Sequence, residues 1–293
     1  MRFAKGHGTG NDFVILPDPD GTLELPAQLV ARICDRHAGL GADGVLRVVG
    51  AAVAGYPAAQ WFMDYRNADG SVAEMCGNGI RVFVRYLLDH GLAAGPVVPV
   101  ATWAGIREVR LAAGPGLAAG TELAADTELA ADTELTVGMG PARVVGAGSA
   151  VVGGRSCAGL AITVGNPHLA CLVDEPVAHF DLSCAPLVDD RQFPAGVNVE
   201  LVRVTGDHQL EMRVHERGSG VTLSCGTGAV AAAVAAAAGA GRWPDGAGEL
   251  WTVDVPGGRL SVTPDGTNSL LAGPAVIVAD GDLDESWLNE QMR

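Results

Sequence analysis

Cys76-Gly-Asn-Gly-Ile-Arg-Val-Phe-Val-Arg-Tyr-Leu-Leu-Asp-His90, closed by Gly91, is the stretch that decides the fold. Apolar residues at 80, 83, 84, 87 and 88 share one face of a 3.6-residue helix, and Gly91 suits its C-terminal cap. The same opening returns at Cys225-Gly-Thr-Gly228, ahead of Ala229–Ala238 and a stopping Gly239. That second helix is almost wholly Ala and Val. With no polar face, it is expected to be buried on all sides. Strand-like runs at Arg2–Leu16, Gly44–Val49 and Gln60–Asn67, with a helix over Pro26–Arg36, precede the first cysteine. Runs at Ala161–Val164, Leu169–Val173, Asn198–Thr205 and Gln209–His215 precede the second. The pattern predicts an α/β (α+β) fold of two pseudo-symmetric halves. Each half is expected to wrap a mostly antiparallel, strongly curved sheet around a central helix that starts at a cysteine.

Between the halves, Thr-Glu-Leu-Ala-Ala-Asp occurs twice over 121–132 and is followed by Thr133-Glu-Leu135. A six-residue period fits no helical stripe, so 121–135 is expected to be a duplicated, solvated linker. The N-terminal half then covers 1–120 and the C-terminal half 136–271.

Composition narrows the function. A net charge of −15 excludes nucleic acid and anionic membrane as partners, because both recruit basic surfaces. Lys5 is the single lysine, in a strand-like segment ahead of a Gly-rich loop. That is a poor anchor for pyridoxal phosphate, which is held through a lysine Schiff base. No cofactor is expected. The six cysteines (34, 76, 157, 171, 184 and 225) show neither metal nor disulfide spacing, so no metal is expected. The N-terminus does not read as a signal peptide, and the low-polarity run Ala229–Ala240 is too short to span a bilayer. Reduced thiols in a cytoplasm are expected.

The two helix starts carry the chemistry. A helix N-terminus offers free N–H groups and a positive dipole end, which favour thiolate over thiol. Inverting an α-carbon needs a base on one face and an acid on the other. Cys76 and Cys225 can supply both if one is thiolate and the other thiol. Gly77 and Gly79, with Gly226 and Gly228, leave first-turn N–H groups open to a substrate carboxylate. The same donors could hold phosphate, although phosphate binding does not call for a cysteine before each turn. Cys34, Cys157, Cys171 and Cys184 are read as inert small hydrophobes.

Seven segments, in order, resemble the diaminopimelate epimerase family: Gly8-Thr-Gly-Asn-Asp-Phe13, Asn67-Ala-Asp-Gly70, Glu74-Met-Cys-Gly-Asn-Gly79, Gly165-Asn-Pro-His168, Gly196-Val-Asn-Val199, Glu216-Arg-Gly218 and Ser224-Cys-Gly-Thr-Gly228. The resemblance runs from residue 2 to about 275 and leaves out the linker repeat and the tail. It implies a small-molecule substrate and a homodimer, with LL- and meso-diaminopimelate interconverted for lysine and peptidoglycan precursor synthesis, and a C-terminal segment, 272–293, that returns to the first half. Asn11, Asn67, Asn166, Asn198 and Arg217 match positions that hold the substrate's distal amino and carboxylate groups. Gly77-Asn78 and Gly226-Thr227 match the turns that bind the reacting carboxylate. His168 and Glu216 match groups that receive the reacting ammonium and tune the thiols. Taken alone, each has a plainer role: asparagines in such turns cap their own backbone, and Glu216-Arg217 is an ordinary strand-end pair. Gly44 stands where some members carry glutamine, so no substrate contact is assigned to the 39–44 loop. Two alternatives stay open: a related racemase of the proline or histidine type, and a non-catalytic carboxylate- or phosphate-binding protein.

Overall fold

A computed structural model describes residues 1–111, 133–244 and 248–291. The chain runs β1 (Arg2–Gly8), β2 (Asn11–Pro17), α1 (Ala27–Cys34), β3 (Gly44–Gly50), β4 (Trp61–Asn67), α2 (Gly77–Asp89), β5 (Val97–Thr102), β6 (Gly105–Leu111) and β7 (Glu134–Gly140). It continues through β8 (Arg143–Val152), β9 (Arg155–Thr163), β10 (Pro167–Leu172), β11 (Leu187–Val188), β12 (Asn198–Gly206), β13 (Gln209–Glu216), β14 (Gly220–Thr222) and α3 (Gly226–Gly239). The last elements are β15 (Trp251–Val255), β16 (Gly258–Thr263), β17 (Ser269–Pro274), β18 (Val276–Asp282) and α4 (Glu285–Gln291).

Two compact units form, one of Met1–Val137 with Pro274–Arg293, the other of Gly138–Gly273. In the first, the pairing series is β18–β1–β2–β3–β4–β5–β6–β7. Its links are antiparallel except for β2–β3 and β4–β5, which are parallel. In the second, the series is β8–β9–β10–β12–β13–β15–β16–β17, antiparallel except for β10–β12 and β13–β15. The two series share one order of parallel and antiparallel links. In each, the helix sits between the strands of the second parallel pair, as a parallel connection demands. The result is a mixed α+β fold dominated by strands. The run expected as one strand over Arg2–Leu16 is two strands, broken at Thr9-Gly10, where both residues take positive φ and turn the hairpin.

α2 packs against β1 through β6 and β18, and α3 against β9, β10, β12, β13, β15 and β16. α3 is buried from Gly226 through Ala237 apart from Thr227, in keeping with its uninterrupted Ala/Val composition. α2 differs from its sequence pattern. Its apolar positions marked one face, but the strands enclose it on every side, and Arg81 and Arg85 are buried too. Of the repeat segment, 121–132 lies outside the described residues. Glu134 and Leu135 already belong to β7, where Leu135 is fully buried opposite Leu111.

Candidate active site

Each cysteine is an N-cap. Cys76 (φ −139°, ψ 121°) and Cys225 (φ −129°, ψ 116°) hold the extended backbone of a residue about to enter a helix. The glycines after them let neighbouring groups come close. A Cβ on Gly79 would lie 3.3 Å from Leu46 Cδ2 and 3.5 Å from Phe13 Cζ, whereas one on Gly228 would lie 2.8 Å from Glu200 Oε1.

In the first unit, Cys76 is half-buried, and its sulfur accepts from the Gly79 N–H at 3.4 Å. It also meets Asn11 Oδ1 at 3.7 Å. Asn78 Nδ2 donates to that same oxygen at 3.3 Å, and Arg81 Nη2 donates to Asn78 Oδ1 at 2.8 Å. At the other end Asn11 Nδ2 donates to Asp43 Oδ2 at 2.7 Å. The two amides are therefore held as a linked pair, with the Arg81 guanidinium at the Asn78 end and the Asp43 carboxylate at the Asn11 end. Asn67 stands apart at the end of β4, with its side chain donating to Ser71 Oγ at 2.9 Å. Lys5 Nζ is engaged by Asp12 Oδ2 at 2.6 Å and by the Gly41 carbonyl. Burial pushes the Asp12 carboxyl up, but hydrogen bonds and charges from Arg36 and Lys5 outweigh it and hold the group at about 2.

In the second unit, Cys225 is buried, and its sulfur lies 3.6 Å from Thr227 Oγ1. Asn166 Nδ2 donates to Thr227 Oγ1 at 3.3 Å. Asn166 Oδ1 meets His168 Nε2 at 2.9 Å, and His168 Nδ1 meets Glu200 Oε1 at 2.6 Å. His168 and Glu200 are both fully enclosed. The Arg217 N–H donates to Asn198 Oδ1 at 2.9 Å, and Arg217 Nη1 to the Ala195 carbonyl at 2.9 Å. Glu216 accepts from the Thr222 hydroxyl. Asn166, His168, Thr227 and Cys225 thus form one cluster. Asn198 and Arg217 form a second at the start of β12.

Electrostatics separates the two thiols. Helix N-termini alone predict a lowered pKa at both. At Cys225 that expectation fails: burial first, then the Glu216 and Glu200 carboxylates, push the thiol well up, against opposing bonds from Thr227 and the Gly228 N–H. Burial also pushes Cys34 and Cys171 up to about 12, which suits inert packing residues. Burial likewise raises the Glu200 carboxyl, against the opposing pull of His168. It lowers Arg81 to about 10, although Cys76 and Glu134 act to raise it.

Glu200, Arg81 and Asp43 touch this machinery and were not among the residues picked out from sequence. Glu200 carried a signal: a charged residue two positions beyond Asn198, on the same side of an otherwise apolar strand. Arg81 carried almost none, since an arginine in a helix next to apolar residues ordinarily faces water.

A family model for diaminopimelate epimerase matches residues 3–116 and 160–278. The diaminopimelate epimerase of Thermobifida fusca is 52% identical over 292 residues, covering 97% of this chain and 98% of the relative. That of Mycolicibacterium smegmatis is 49% identical over 302 residues, covering 98% of each. Among solved structures, a PhzF-family phenazine biosynthesis protein from Bacillus anthracis superposes with a TM-score of 0.69 at 15% identity, over 97% of this chain and 99% of that one. A hydroxyproline epimerase from Agrobacterium vitis does so with a TM-score of 0.67 at 15% identity, over 96% and 91%. At such identities these structures share the fold alone. With both helix starts inside the matched segments and half its residues identical to curated members along nearly its full length, the chain belongs to the diaminopimelate epimerase family, a family of isomerases.

Proposed function

We propose that this protein interconverts LL- and meso-diaminopimelate without pyridoxal phosphate, one thiol removing the α-proton while the other protonates the opposite face. The observation that carries this is the matched pair of cysteine N-caps, Cys76 and Cys225, in a chain of this family. As the base takes the proton, negative charge builds on the reacting carboxylate. N–H groups at Gly77-Asn78 and Gly226-Thr227 stabilise that charge. His168 and Glu216 receive the reacting ammonium and tune the thiols. Asn11, Asn67, Asn166, Asn198 and the exposed Arg217 hold the distal amino and carboxylate groups. Engagement of Lys5 by Asp12 and Gly41 supports a mechanism without a Schiff base.

No helix among the described residues is long and apolar enough to cross a membrane. We place the enzyme in the cytoplasm as a homodimer, the first supported by cysteine spacing in the sequence that fits no disulfide framework and the second by resemblance. Sedimentation would test the dimer.

The deciding experiment is epimerisation of LL-diaminopimelate in heavy water. Product formed in the first turnovers should carry deuterium at the inverted carbon while recovered substrate carries little. Product that keeps its original hydrogen, or turnover confined to proline, would overturn the proposal.

A further inference from the structure

We propose that Arg81 and Glu200 are positioning residues that give the two thiols opposite resting charges, thiolate at Cys76 and thiol at Cys225. This rests on the acid/base roles proposed for the two cysteines and adds which of them is the resting base.

Because the two units share one pairing series, their positions can be matched. The parallel pair β2–β3 sets Phe13 opposite Gly44, and β10–β12 sets His168 opposite Asn198. Two residues further along, Leu46 of β3 corresponds to Glu200 of β12. The helix glycines agree, since Gly79 faces Leu46 and Phe13 while Gly228 faces Glu200. Five residues after each cysteine, α2 carries Arg81 and α3 carries Val230. The fold has one frame filled twice, with a buried cation in one copy and a buried carboxylate in the other.

Arg81 is fully enclosed, and its guanidinium meets two neutral oxygens among the described residues, Gly77 O at 3.0 Å and Asn78 Oδ1 at 2.8 Å. Among the described residues its Nε has no partner, and no carboxylate lies within ion-pair distance. A buried charge without a counter-ion is strongly unfavourable. The anionic groups acting on it are Cys76 and Glu134, at the start of β7. A Cys76 thiolate would supply the nearby counter-charge and would accept the Gly79 N–H. Asn11 Oδ1 at 3.7 Å accepts from the Cys76 thiol and would face a thiolate as an opposing dipole, and a neutral dipole at that distance is weaker than a full buried charge. Behind Asn11, Asp43 and Asp12 are paired with Arg36 and Lys5.

Around Cys225 the signs are reversed. The point where Gly228 would carry a Cβ lies 2.8 Å from Glu200 Oε1 and 3.3 Å from Cys225 Sγ, so carboxylate and sulfur flank the same spot. Glu216 of β13 adds a second carboxylate. His168 of β10 meets Asn166 Oδ1 through Nε2 and Glu200 Oε1 through Nδ1, leaving Glu200 Oε2 buried without a partner among the described residues. A thiolate here would face carboxylate on two sides.

The test is the ultraviolet absorbance of thiolate followed against pH, as wild type minus Cys76→Ser and wild type minus Cys225→Ser. Cys76 is expected to contribute thiolate at pH 7, below the ordinary thiol value of about 8.5, and Cys225 only well above that value. Arg81→Met should move the Cys76 titration up by about one pH unit or more, a roughly tenfold loss of thiolate at neutral pH, with Cys225 unmoved. Glu200→Gln should move the Cys225 titration down and leave Cys76 in place. Should Arg81→Met not fold, Arg81→Lys and the wild-type titrations decide. Both thiols titrating together in the ordinary range, or Cys76 titrating above Cys225, would overturn the assignment. These titrations do not involve diaminopimelate, so a failure of the proposed epimerisation would show separately in turnover.

Discussion

The starts of α2 and α3 share a backbone and differ in what surrounds it. Both have a cysteine N-cap, a glycine at the first and third helical positions, and a parallel strand pair passing beneath. Under α2 that pair presents Phe13 and Leu46; under α3 it presents His168 and Glu200. The comparison teaches that duplicating a helix N-terminus duplicates position but not acidity. A dipole worth a fraction of a charge is readily outweighed by burial and by whole charges nearby.

The largest effect expected from breaking this pair is loss of the thiols themselves. Cys76→Ala and Cys225→Ala should each lower kcat by at least about a thousandfold, since inversion needs a proton transfer on each face. If one variant kept substantial turnover, the two starts would not be functional equals. Next comes added bulk. Gly228→Ala places a methyl 2.8 Å from Glu200 Oε1 and should cost about 1–3 kcal/mol in thermal unfolding, with activity falling as the His168–Glu200 pair shifts. Gly79→Ala meets Cys76 Cβ and Leu46 Cδ2 at 3.3 Å. That crowding is partly offset by the gain of about 1 kcal/mol that Ala has over Gly in a helix. Equal costs at the two glycines would mean that Glu200 yields as easily as Leu46.

Acid should separate the units more gently. Asp12 is held at about 2, below its unfolded value of about 3.9. The stability it gives the first unit is complete above about pH 4 and is lost as pH falls towards 2. Glu200 is shifted the other way, so its contribution is present at low pH and lost as pH rises through its folded value. Asp12→Asn should flatten the acid limb of the unfolding curve, while Glu200→Gln should remove a term of opposite slope. Parallel responses would contradict the charge contrast. Smallest of all, deleting one Thr-Glu-Leu-Ala-Ala-Asp unit should alter stability by only about a few tenths of a kcal/mol, because closure entropy grows with the logarithm of length. Chemical denaturation would measure it.

The elements that sequence reveals are those whose local pattern and burial agree. α3 is the clearest case, an Ala/Val helix that could only be enclosed. The strands at Gly44–Gly50 and Trp61–Asn67 were nearly as plain in their apolar runs. The cysteines stood out because a rare residue preceded the same Gly-Xaa-Gly turn twice. What stayed hidden depends on partners distant in sequence. Arg81 stayed hidden because the helix pattern says nothing of a sheet closing over the second face of α2. Glu200 gains its meaning only when β10 brings His168 beside it. Leu135 seemed to belong to the repeat and not to β7, since a single buried leucine after a polar repeat has no periodicity to reveal it.

α3 has one more consequence. Between Ala229 and Ala237 no side chain is larger than valine, and each residue is at least nine-tenths enclosed by strands that come close to the helix axis. There is no long side chain to swing aside and let water reach the backbone. Amide hydrogens along this stretch should therefore exchange with solvent only when the whole unit opens, making them the slowest reporters in the second unit. Cys225 is fastened to that stretch, so its sulfur inherits a fixed origin, and any movement needed to admit a substrate falls to the loops around it.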